Sequence, residues 1–187
     1  MCEYVCPAKA IHLEDDMAGK LMLYKDGFTF STAELKMGRG NSGKLVTAVK
    51  KQLDINSDAD LAVIDGSPGI GCPVIASVSG VDMVLIVAEP SLSGISDMER
   101  ILETIYRFDV PVAVCINKYD TSAEKAAEII SFCKEHSILF VGAIPFDNEV
   151  LKAQNNGTSV IHTDCPASGT LKEIYNKIKN LMTDLKG

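Results

Sequence analysis

Four short apolar runs, each closing on a polar cluster, decide what architecture this chain can adopt. They are Ala59 to Asp65, Met83 to Ala88, Pro111 to Asn117 and Ile138 to Ile144. Runs of this kind predict strands covered on both faces, as in a parallel sheet. Helical patterns lie between them. Leu45, Val46, Val49 and Leu53 form one apolar stripe, and Ile101, Leu102, Ile105 and Phe108 a second. Leu171, Ile174, Tyr175, Ile178, Leu181 and Leu185 form the last. Ser96, Thr121 and Thr170 are each followed three residues later by a glutamate, the capping-box signal of a helix start. Strands alternating with helices predict an α/β fold: a doubly wound, mainly parallel sheet with helices on both faces.

The first thirty residues are built differently. Ile11 and Leu13, Leu21 and Leu23, and Phe28 and Phe30 repeat at period two, with turn residues at Asp15-Asp16, Ala18-Gly19 and Asp26-Gly27. This predicts a small β meander after an N-terminal cysteine segment. The expected division is residues 1–30 and residues 31–187.

Composition narrows the function classes. The chain has 187 residues, 18 basic and 25 acidic, for a net charge of −7, and no basic run. That balance argues against nucleic acid or an anionic membrane as the main partner. No apolar stretch approaches the ~20 residues of a transmembrane helix, and the N-terminus lacks the pattern of a signal peptide. Six cysteines stand at 2, 6, 72, 115, 133 and 165. Their scatter predicts a reducing, cytoplasmic setting, with Cys115 and Cys133 as small buried hydrophobes.

In doubly wound sheets, ligands sit at the carboxyl ends of the strands. The first run ends Asp65-Gly66-Ser67-Pro68-Gly69-Ile70-Gly71-Cys72-Pro73. An Asp at a buried strand tip can hold the water shell of a Mg²⁺ bound to nucleotide phosphates, and the glycines admit an anion close to backbone N–H groups. The same Asp equally suits a cap on the next helix. The third run ends Asn117-Lys118-Tyr119-Asp120. An Asn amide presents a donor and an acceptor side by side, which suits a purine edge, and a Lys stem can cover a base plane. Asn-Lys-x-Asp is also the guanine-reading pattern of small GTPases, in which Asp120 would take the base. The fourth run ends Ile144-Pro145-Phe146-Asp147, a candidate second wall for a base.

Gly38-Arg39-Gly40-Asn41-Ser42-Gly43-Lys44 satisfies the spacing of a phosphate-binding loop. Leu45 stands where a Mg²⁺-binding Ser or Thr belongs, and the residues before the loop alternate and carry charge. A glycine-rich turn entering a helix is the preferred reading, with Lys44 near phosphates at most. Cys2-x3-Cys6-Pro7 matches the last two ligands of the bacterial ferredoxin run. A [4Fe–4S] cluster needs four cysteines, so this pair is an incomplete set. His162 and Cys165 read as ordinary loop residues.

The order of these segments resembles the MinD/ParA/Mrp superfamily of P-loop ATPases, in the branch that carries an inserted ferredoxin domain. The resemblance implies that Asp65 is the Walker B carboxylate and that Pro68, Gly69 and Gly71 form the switch behind it. It implies that Asn117 reads the adenine, with Pro145 and Phe146 beside it. It further implies ATP, Mg²⁺ and [4Fe–4S] as cofactors of an intact protein, a nucleotide-sandwich dimer, and coupling to electron or cluster transfer. Residues 1–30 then read as the remnant of a ferredoxin-like insert, and residues 31–187 as a partial P-loop NTPase-like domain without its first strand and Walker A loop. The expectation is a C-terminal portion, completed by a second copy or by a partner chain. Alone it should bind nucleotide weakly and hydrolyse none. A GTP-binding switch and a non-enzymatic iron–sulfur carrier or scaffold are the alternative classes.

Overall fold

The computed structural model describes residues 2–12, 14 and 16–186, with the side chains of 185 and 186 outside the description. The chain forms two compact units, Met1–Gly66 and Ser67–Gly187. The expectations placed on Leu13, Asp15 and the Leu185 side chain lie outside the described residues.

The first unit contains a one-turn helix α1 (Cys2–Val5), an antiparallel hairpin of β1 (Gly19–Lys25) and β2 (Thr29–Leu35), and α2 (Ser42–Asn56). The hairpin turns at Asp26-Gly27-Phe28. Gly27 takes φ +66°, and the Asp26 N–H donates to the Phe28 carbonyl at 3.0 Å. Side chains alternate across the two strands. Ser31 points to α2, where its hydroxyl lies 2.9 Å from the Val49 carbonyl, while Tyr24 and Phe30 stack on the opposite face with ring centroids 6.1 Å apart. The expected meander is therefore two strands among the described residues, with Ile11 in neither.

The run from Ala59 to Asp65 is not a strand, which corrects the sequence reading. Val63 is 82% exposed. A β-strand exists through its ladder of inter-strand hydrogen bonds, and no described strand pairs with this run. Its apolar content is right for a buried strand, but apolar content alone supplies no ladder partner.

The second unit is an α/β layer structure. It runs α3 (Cys72–Val78), β3 (Val84–Ala88), α4 (Leu92–Ile105), β4 (Val112–Asn117), α5 (Ala123–Glu135), β5 (Leu139–Ile144), α6 (Asn148–Asn155) and α7 (Pro166–Lys186). Strands β3, β4 and β5 pair in parallel in that order. The central strand is buried on both faces. Val114 and Ile116 belong to a core formed with α3, α4 and α5, while Ala113 and Cys115 belong to a second core with α7. Leu102, Ile105 and Ile129 are sealed in the first core, each contributing about 1.5–3 kcal/mol by leaving water. The outer strands depart from the expectation of full cover, since Leu85 and Val87 of β3 remain exposed.

One register shift, between Val114 and Cys115, leaves Val141 of β5 as an extra residue in the ladder. The Lys177 ammonium of α7 donates to its carbonyl at 3.0 Å. The next residue, Gly142, takes φ +159°, and a Cβ there would meet Ile174 Cγ1 at 2.8 Å.

Helix starts also differ from the capping-box reading. Helix α4 begins four residues before Ser96, because Ser91 accepts the Gly94 N–H at 3.0 Å and captures the cap. Helix α5 is capped by Ser122, which accepts the Lys125 N–H, not by Thr121. Thr170 lies inside α7. No helix among the described residues is long and apolar enough to cross a membrane.

Candidate functional site

Parallel pairing sets the tips of three strands side by side. The register joins Ala88 to Ile116 and Asn117 to Ile144, so the residues that follow β3, β4 and β5 emerge at one end of the sheet. Glu89 follows β3. Asn117 closes β4 and is half-buried. Lys118 turns the chain by adopting the left-handed conformation at φ 54°, an uncommon state for a residue with a side chain. The turn is held by Thr121, whose N–H and hydroxyl both donate to the Lys118 carbonyl, at 3.0 and 2.8 Å. Pro145 and Phe146 follow β5, with Phe146 exposed.

Two polar bridges tie these tips together. The Lys118 ammonium reaches Glu89 at 2.8 Å, joining the β4 tip to the β3 tip. Asp120 Oδ1 accepts the Phe146 N–H at 2.7 Å, joining the β4 tip to the β5 tip. Asp147, next in the chain, accepts the Glu149 N–H at 2.9 Å through Oδ1 and the Ala167 N–H at 3.3 Å through Oδ2. It thus caps both α6 and α7. The Glu149 amide above all, then the Ala167 amide, the Cys165 thiol and the Lys152 charge, hold its carboxyl below the usual carboxylate range. Glu89 as the partner of Lys118 was missed in sequence, although it stands one residue past an apolar run, as Lys118 does.

The structure therefore brings together Asn117, Lys118, Pro145 and Phe146. Pro68 and Gly69 lie in the loop before α3 of the same unit. Gly69 takes φ +95°, which only glycine adopts freely, and the Gly71 carbonyl opens α3 by accepting the Val74 N–H at 3.0 Å. Asp65, Lys44, Cys2 and Cys6 belong to the first unit. Asp65 is exposed at the end of the Ala59–Asp65 run, and Lys44 is exposed in the first turn of α2. The strand before the Gly38–Lys44 loop belongs to the antiparallel hairpin. Cys2 is exposed and Cys6 half-buried, and Cys6 Sγ accepts the Ala10 N–H at 3.4 Å. Among the described residues no three His, Cys, Asp or Glu side chains gather as a metal site.

No family model matches the chain. Relatives and solved structures do. The uncharacterized protein MJ0578 of Methanocaldococcus jannaschii is 32% identical over 156 residues, covering 83% of this chain and 52% of that protein. The iron-sulfur cluster carrier protein of Pyrococcus horikoshii is 28% identical over 163 residues, covering 78% of this chain and 55% of its own length. The chain thus spans about half the length of the curated relatives it matches. In fold it is similar to the septum site-determining protein MinD of Pyrococcus horikoshii, solved with Mg-ADP, at a TM-score of 0.63 and 14% identity, covering 78% of this chain and 59% of that one. The MinD cell division protein of Aquifex aeolicus aligns at a TM-score of 0.59 and 19% identity, covering 74% of this chain and 61% of that one. The parallel sheet with its helices is the MinD-type P-loop NTPase fold. Together these likenesses relate the chain to the MinD/ParA/Mrp superfamily of P-loop ATPases.

Proposed function

We propose that this chain is the C-terminal part of a MinD/Mrp-type ATP-binding iron–sulfur protein, in which ATP hydrolysis is coupled to electron or cluster transfer. The observation that carries the reading is the joined set of strand tips, with Asn117 at the centre, Lys118–Glu89 on one side and Asp120–Phe146 on the other. Ligands of open α/β sheets bind at such ends. The relatives that bear a name support the same class: iron-sulfur cluster carriers, and MinD proteins, one of them solved with Mg-ADP.

Within this reading the base lies against Asn117, Pro145 and Phe146. The loop Pro68–Gly71 faces the phosphates as a switch. The roles of Asp65 as the carboxylate for a Mg²⁺ water shell and of Lys44 as a cation are taken from the sequence order alone. Cys2 and Cys6 are ligands of iron–sulfur clusters whose other thiolates come from outside the described residues, and no reaction step is assigned to them. The division into a ferredoxin-like remnant, residues 1–30, and a partial nucleotide-binding domain, residues 31–187, belongs to the same proposal. The edge of β3 supports it, since a buried-type strand with no second neighbour among the described residues calls for one more strand. A second copy or a partner chain would supply that strand.

Calorimetry of the 187-residue chain with MgADP and MgATP tests the proposal. Weak, submillimolar-or-poorer binding and no hydrolysis above background are expected. No shift of any amide near Asn117 with millimolar MgADP would refute the site. Micromolar affinity or steady turnover would refute the idea of a portion needing completion. Anaerobic reconstitution with iron and sulfide should give no stable cluster absorption. A stable 4Fe–4S band without nucleotide would favour an iron–sulfur carrier.

A further inference from the structure

At the end of the sheet opposite the strand tips, β4 and β5 begin beside a cavity of about 350 Å³, within the size range of small-molecule sites. Its floor is apolar and adjoins the larger core through Val110, Val112 and Ile138. Its rim is polar. Tyr106 and Asp109 come from the chain entering β4, and His136 and Ser137 from the chain leaving α5. The backbone presents this rim in an uncommon way. Asp109 closes the 3-10 turn Tyr106–Phe108 at φ 53°, and Ser137 follows α5 at φ 55°. At the end of α5 the Ile138 N–H donates to the Cys133 carbonyl at 2.8 Å. Helix ends of this kind usually take glycine, because a side chain in the left-handed region is costly. Both positions bear polar side chains instead, and both line the same cavity. Among the described residues neither side chain has a hydrogen-bond or ion-pair partner.

His136 is held in one orientation. Its ring stacks on Phe132 with centroids 4.1 Å apart, and its Nδ1 lies 2.9 Å from the Phe132 carbonyl oxygen. A carbonyl only accepts, so Nδ1 carries the hydrogen and Nε2 of the neutral ring is left as an acceptor. The Asp109 carboxylate is likewise an acceptor. The rim is therefore rich in acceptors and negatively charged, and no Lys or Arg among the described residues lines it. The exposed Tyr106 ring adds an aromatic face, which attracts a cation in the same sense. We propose that this cavity binds a small organic cation, an alkylammonium or alkylguanidinium compound. Asp109 holds the charged head, His136 Nε2 accepts a second hydrogen bond from it, and the alkyl stem lies on the apolar floor. The cavity stands apart from the nucleotide reading above, which concerns the other end of the sheet.

The test is an NMR titration of the full 187-residue chain, read at the backbone amides. Butylguanidinium is the cationic probe, pentanol its neutral counterpart and pentanoate its anionic one. At millimolar concentration the cation should shift the amides of Asp109, Val112, His136 and Ser137, while the other two probes should leave them in place. Asp109→Asn should weaken the cation about fivefold, the size of one exposed ion pair. Asparagine adopts the left-handed backbone readily, so the turn is kept and the charge alone is lost. Asp109→Gly, which suits φ 53° without a side chain, should weaken the cation as much. A loss shared by both variants assigns the effect to the carboxylate and not to a disturbed turn. Four results would each overturn the proposal: no shift of these amides with the cation, equal binding of pentanol, stronger binding of pentanoate, or wild-type affinity in either variant. Equal binding of pentanol would leave the cavity as an apolar depression without selectivity for charge.

Discussion

Replacing Gly94 by alanine should damage the candidate site from outside it. Gly94 lies in the first turn of α4, and a Cβ built there would stand 2.2 Å from the Glu89 carbonyl oxygen and 3.1 Å from Ser91 Oγ. Real Cβ atoms essentially never come within 3.0 Å of a heavy atom, so helix and strand tip must part by at least about 0.8 Å, the gap between 2.2 and 3.0 Å. Neither atom it meets can swing aside, because one is backbone and the other is the α4 cap. Overpacking of this kind costs about 1–3 kcal/mol, against which alanine returns up to about 1 kcal/mol of helix propensity. A net loss of about 1–2 kcal/mol is expected. Gly169 supplies the control. It lies in the first turn of α7 with nothing within 4 Å of its would-be Cβ, so Gly169→Ala should be neutral or stabilising by up to about 1 kcal/mol. Urea denaturation of the two variants should therefore move the midpoint in opposite directions or, at the least, separate their stabilities by about 1 kcal/mol. Equal midpoints, or a Gly94→Ala protein as stable as wild type, would refute the reasoning.

Three further outcomes are expected. Ile129→Ala, at a side chain with no exposure in the larger core, should lower unfolding free energy by about 2–5 kcal/mol in the same assay. Burial pushes the Cys115 thiol up to about 11; the unfolded thiol ionises from about pH 9, so its contribution to stability should fall as pH rises from 9 to 11, by at most about 3 kcal/mol, a decline that Cys115→Ala should reduce in pH-dependent urea melts, the buried Cys133 thiol, also raised, keeping the remainder. Asp147, held low by the helix amides, contributes stability that is complete above the ordinary carboxylate range and lost as pH falls through its lowered value; Asp147→Ala should flatten the acid limb of a melting profile that the wild type shows.

Much of the second unit was legible because burial leaves a direct mark on sequence. The runs ending at Ala88, Asn117 and Ile144 became β3, β4 and β5 within a residue. The run ending at Asp65 carries the same mark and is no strand, since apolar content encodes a wish for cover and not the presence of a ladder neighbour. Helix starts were read too late at Ser96 and Thr170, because Ser91 and the turn at Pro166 begin their helices earlier and a Ser/Thr-x-x-Glu spacing inside a helix looks the same on paper. At the site, Asn117, Lys118, Pro145 and Phe146 were found as strand-end residues. The bridges from Lys118 to Glu89 and from Asp120 to Phe146 were not, because each joins residues of different strands and depends on which tips are neighbours.

Asp147 has a consequence for motion. One carboxylate group answers the first amides of two helices whose starts lie about twenty residues apart. Fraying at either start loosens the side chain that also anchors the other, so the segment from α6 to the first turn of α7 is expected to open as one cooperative unit instead of two. Amides of Glu149 and Ala167 should then exchange with solvent at matched rates, and the wall after β5 should share their rhythm, because the residue before Asp147 is the one that Asp120 holds.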